Sequence, residues 1–172
     1  INTMNAVKTV YGIDITGYEI TDEPVGVEFV LDSCGISNGS LQCPQTLLAA
    51  SKKLLDKGAE AIAIVCLFDD PEEMNTGYAD GAGTDPVGGV EAIISHYISK
   101  ELKVPCAHSP AFYDYSISSE IVNPKSSAEY ITPTFLPCIL LGLSQAPLLS
   151  VTDGVSVDNL DFLVMPYDAL GS

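Results

Sequence analysis

Apolar residues follow two rhythms along this chain, one helical and one extended, and they alternate. Asn2 to Val10 reads as a short helix ended by Gly12. Gly17 to Asp22 reads as a strand, and Val25 to Leu31 (VGVEFVL) as a better one, β-branched and bounded by Pro24 and Asp32. A helix follows, with Pro44 at its first position and Gly58 just past its end. Leu47, Ala50, Ser51 and Leu54 share one face of it, while Lys52, Lys53, Asp56 and Lys57 fall elsewhere. Ala59 to Phe68 (AEAIAIVCLF) is nearly continuous apolar sequence, the pattern of a strand buried on both sides. Thr84 or Asp85 can cap the next helix, with Pro86 near its start, and that helix runs to about Lys103. At 100° per residue, Val87, Val90, Ile94, Ile98 and Leu102 form its apolar stripe. Val104 to His108 is another short strand.

Strand, helix, strand, helix, strand with short connections is the order of an α/β fold with a mainly parallel sheet and right-handed crossovers. Beyond this β-α-β-α-β core, Phe135 to Leu143 (FLPCILLGL) fits a fourth buried strand or a short helix, which periodicity cannot separate. A helical turn fits Ser126 to Tyr130. Ser150 to Ser172 sets polar spacers around an apolar knot, Phe162 to Tyr167, and reads as a tail that docks on something. The expected organisation is a single α/β domain over 1–149 and an extended C-terminal segment over 150–172.

Composition supports a real core: at 172 residues, roughly 70% of the unfolded surface can be buried. Charge narrows the partners. There are 23 Asp and Glu against 7 basic residues, all lysine, for a net charge of −16. Nucleic acid is excluded, because its recognition rests on clustered basic residues, and anionic membrane surfaces are disfavoured. Solubility is the plain reading of the acidity, and steering toward a basic protein surface the sharper one. No apolar run reaches the roughly 20 residues of a membrane-spanning helix. The chain opens at Ile1 without a secretory or transit segment, and reads as a processed chain, a fragment or part of something longer.

Five cysteines stand at 34, 43, 66, 106 and 138, an odd count without a CxxC pair, which argues against zinc. Cys66, Cys106 and Cys138 lie in apolar runs and read as buried thiols. Cys34 and Cys43 flank a loop and are either free or bonded, with free thiols favoured in a reducing compartment. In an open parallel sheet, ligands bind beyond the carboxyl ends of strands. The loop from Asp69 to Asp85 carries six carboxylates there, but it lacks the alternating ligands of a calcium loop and reads as solvated. His108 ends a strand beside Cys106. His96 lies opposite its helix's stripe, and Glu91 lies within it, so Glu91 is a carboxylate in need of a partner such as Ser95 or a backbone group. Structural roles are favoured for all of these. An enzyme built on this chain would draw on Asp85, Glu91, Cys106 and His108. No cofactor and no metal site are expected.

Five stretches resemble the cyanobacterial and plastid family known as domain of unknown function 3326: Asp22 to Glu28, Gly58 to Val65, Asp85 to His96 (DPVGGVEAIISH), Val104 to Ala111 (VPCAHSPA) and Phe135 to Pro147. The resemblance covers most of Tyr11 to Leu149. It implies an α/β fold and a photosynthetic setting, without a reaction. Members of that family are about twice this length, with a glycine-rich N-terminal half, and the segment from Ser150 onward looks added to the family pattern. A half-length protein of this kind is similar to a peripheral stromal subunit of photosystem I in diatoms or related algae. The resemblance therefore implies a non-catalytic chloroplast protein on the stromal face of the thylakoid. Its acidic surface would meet basic subunits, and Phe162, Leu163, Val164, Met165, Pro166 and Tyr167 would anchor it. The alternative is a small-molecule enzyme using the strand-end crevice.

Overall fold

The computed structural model describes residues 1–68, 77–111, 121–127, 135–146 and 154–164. It is a mixed α/β structure, as the order of apolar segments predicts, but its strands divide into two small sheets. Helix α1 (Asn2–Tyr11) ends where Gly12 takes a left-handed φ of 67° and returns its N–H to the Lys8 carbonyl. Helix α2 (Pro44–Asp56) begins on its proline, with Thr46, Leu47, Ala50 and Ser51 on the buried side. Helix α3 (Gly88–Leu102) buries Val90, Glu91, Ile94, Ser95 and Ile98, with Val90 and Ile98 fully inside.

Strand β1 (Val27–Leu31) does not join the parallel sheet. It pairs antiparallel with β2 (Ser37–Leu41). The polar sequence SNGSL carries no strand signal of its own. The hairpin is made by its turn and by what it packs on. Asp32 Oδ1 accepts the N–H groups of Cys34 and Ile36, both at 2.8 Å, and the chain reverses there. Two glycines then let β2 lie directly on α3. A Cβ at Gly39 would stand 2.5 Å from Val90 Cγ2, and one at Gly89 would stand 2.2 Å from the Ser37 carbonyl oxygen. Ser37 Oγ donates to the Pro86 carbonyl and accepts from the Gly89 N–H, each at 3.0 Å. Cys34 and Cys43, on either side of this hairpin strand, are free thiols.

The second sheet is parallel, β3 (Ile62–Leu67) beside β4 (Cys106–Ala111), with α3 as the crossover between them. Ile62 faces Cys106, Ile64 faces His108 and Cys66 faces Pro110. Ile62, Ile64 and Cys66 join Leu47, Val90, Ile94 and Ile98 in the core, and Phe29 meets Phe68 edge to face with centroids 5.4 Å apart. The expectation of β3 buried on both sides is not met. Of its other residues, Ala63 is half-buried while Val65 and Leu67 are about half exposed, because nothing among the described residues covers that face fully. Gly17 to Asp22 is likewise not a strand, since it has no ladder partner there. It is pinned instead to α2, Glu19 to Lys57 and Asp22 to Lys53. Phe135–Leu143 resolves as a helix, α4, packed against β3, β4 and α1. No helix among the described residues is long and apolar enough to cross a membrane. Of the turn expected at Ser126 to Tyr130, residues 128–130 lie outside the described residues.

Candidate functional site

Alternation along β4 and the stripe of α3 bring three polar side chains together beneath the parallel sheet. Glu91 and Ser95 are one helical turn apart, so both point inward. His108 belongs to the β4 set Cys106, His108 and Pro110, which sits across from Ile62, Ile64 and Cys66. The Ser95 Oγ lies 3.0 Å from His108 Nδ1, and Glu91 Oε2 lies 4.0 Å from His108 Nε2. Ser95 Oγ is also 3.2 Å from the Ala92 carbonyl oxygen. Two proton arrangements satisfy this geometry. Either Nδ1–H donates to Ser95, which passes its own hydroxyl hydrogen to Ala92, or Ser95 donates to Nδ1 and Nε2–H faces Glu91.

Electrostatics sharpen what the cluster can do. Burial, and then the nearby His96, hold His108 below its ordinary 6.5, so the ring is neutral at neutral pH. Its contact with Glu91 at 4.0 Å is then not an ion pair. Burial, the Glu91 carboxylate and Cys106 push the Cys66 thiol up to about 12, and burial pushes Cys106 to about 12. Both remain protonated, which removes them as thiolate nucleophiles.

Of the four residues that an enzyme would draw on, the structure brings Glu91 and His108 together. Cys106 shares the strand face of His108 but is an inert thiol. Asp85 works at the start of α3, where its Oδ1 accepts the Val87 N–H at 3.0 Å. Ser95 enters as a partner of His108, where the helical spacing alone points to Glu91. Only the register of β4 against α3 supplies the other pairing. His96 is exposed. In the apolar tail, Phe162, Leu163 and Val164 stand in solvent, and Met165, Pro166 and Tyr167 lie outside the described residues. So do positions 69–76 of the carboxylate loop; Tyr78–Asp80 beyond them forms a single 3₁₀ turn.

Two open grooves lie elsewhere. One, of about 920 Å³, runs along β3 between the Gly12 to Thr21 stretch and α4. The other, of about 590 Å³, separates α1 from α4 around Val7, Val10 and Leu141. Neither is lined by Glu91, Ser95 or His108.

An α/β chain with a small, largely buried polar cluster and open grooves is the class that these features define. More narrowly, the chain belongs to the family described as "Protein of unknown function (DUF3326)", whose sequence profile matches residues 1–172. The match runs through the C-terminal segment, so Ser150 to Ser172 is part of the family pattern and not an addition to it. The chain is also similar to an uncharacterized lipoprotein of Synechococcus, 39% identical over 173 residues. That alignment takes in 96% of this chain and 48% of the relative, so the chain spans about half of the relative's length. No solved structure matches the chain.

Proposed function

We propose that this chain acts by binding other protein, as a non-catalytic peripheral subunit of a plastid photosynthetic complex, photosystem I on its stromal side. The observation that carries the binding reading is Phe162, Leu163 and Val164, exposed to 81%, 68% and 87%. Three consecutive large apolar side chains in water are a contact surface awaiting a partner. The net charge of −16 supplies attraction to basic subunits. The choice of complex and compartment rests on the family resemblance. Deleting Asp158 to Ser172 is expected to abolish co-migration with the complex while the thermal unfolding of the remaining chain stays cooperative. Retained co-migration would overturn the docking role of this segment.

A second reading, a small-molecule enzyme, draws support from His108 lying between Ser95 and Glu91. It stands lower because Ser95 is only 4% exposed and neither groove reaches the cluster.

A further inference from the structure

We propose that the outer edge of β3 is a strand-docking site. It receives one extended apolar segment from the part of the family's length that these 172 residues do not span. The proposal needs no particular photosynthetic complex and concerns a different surface from the tail.

Backbone geometry identifies the free edge. The Ile62 N–H donates to the Pro105 carbonyl at 2.9 Å, which fixes the ladder: Ile62, Ile64 and Cys66 turn their backbone groups toward β4. Ala63, Val65 and Leu67 therefore turn theirs away, and no described residue pairs with them. Three donors and three acceptors on a strand roughly 20 Å long make a template for pairing.

The two outer edges of this sheet are not equivalent. On β4 the outward backbone positions are Cys106, His108 and Pro110, and the proline nitrogen has no hydrogen to offer. On β3 the sequence IAIVCL holds no proline, charge or glycine that would discourage pairing. Among the described residues this parallel sheet has two strands, whereas parallel sheets are ordinarily flanked by further strands and covered on both faces. β3 has the composition of a central strand in the position of an edge.

The groove has the shape of the missing element. Its one wall is β3, its other is the Gly12 to Thr21 stretch, and Leu136, Leu140 and Leu143 of α4 lie along it. Ile13, Ile15, Gly17 and Glu19 are half-buried in alternation with exposed neighbours, the rhythm of a strand without a partner. A segment laid in the groove would meet β3 on one side and this stretch on the other. A second copy of the chain fits poorly, because its β3 would have to pass between these walls and bring a second −16 with it. The Synechococcus relative has the residues to supply the segment, since more than half of its length lies outside the alignment.

The test is residue-resolved amide exchange on this chain alone and after adding the non-aligned part of the Synechococcus relative as a separate recombinant protein. Alone, the amides of Ala63, Val65 and Leu67 are expected to exchange at least about 100-fold faster than those of Ile64 and Cys66. The added protein is expected to bind and slow those three. Val65→Pro removes one outward N–H and is expected to weaken binding at least about tenfold, while Val65→Thr retains it. If Val65→Pro fails to fold, the exchange pattern decides. Equal protection in the isolated chain would overturn the proposal. So would no binding, binding that leaves the three amides fast, or self-association that protects them.

Discussion

The two sides of the β3–β4 sheet treat similar sequence in opposite ways. Toward α3, alternate residues of β3 are buried to a few per cent exposure and pack on Val90, Ile94 and Ile98. Away from α3, Val65 and Leu67 stay about half in water, although they are as apolar as their neighbours. The polar residues invert this: Glu91, Ser95 and His108 collect on the closed side. Burial there yields a satisfied network and locked thiols, which suits stability. The open face carries apolar side chains, and the adjoining β3 edge carries backbone groups that no described residue pairs, which suits recognition.

The largest expected difference lies between core and edge. Ile98→Ala should cost about 3 kcal/mol in urea unfolding, because Ile98 is fully buried. Val65→Ala should cost well under about 1 kcal/mol, as exposed positions do. Equal costs would mean that the outer face is packed after all. Next comes the polar cluster. Ser95→Ala leaves His108 Nδ1 without its hydroxyl partner and should destabilise the fold by about 1–2 kcal/mol. An unchanged midpoint would show that the hydroxyl does not hold the ring.

The smallest effect is on pH dependence. His108 titrates lower in the folded chain than its ordinary 6.5, so the folded state resists protonation. Its contribution is fully present above about 6.5 and is lost as pH falls through the lower folded value. Unfolding midpoints compared between pH 7 and 5 should therefore fall more steeply in the wild type than in His108→Gln. Matching slopes would remove His108 as the cause.

The helices were legible because their signals are local. Gly12 after α1, Pro44 and Gly58 around α2, and the stripe of α3 each follow from a few neighbouring residues. β2 was not legible, because SNGSL becomes a strand only through Asp32 in the turn and the contact of Gly39 and Ser37 with α3, about fifty residues away. Phe135 to Leu143 was ambiguous because continuous apolar sequence has no period to read. Glu91 and His108 could each be picked out singly; their meeting depends on the α3–β4 crossover, which no spacing encodes. Among the described residues, the expected strand at Gly17 to Asp22 has no ladder partner, and neither does the outer edge of β3 at the same groove.

Whether the apolar tail and acidic surface dock this chain as a subunit is decided by native fractionation of its source membranes in gentle detergent, with mass spectrometry of every complex. Co-migration with photosystem I at a fixed ratio is expected, lost at high salt as acidic-to-basic docking requires. Recovery of the chain only in the soluble fraction would contradict it.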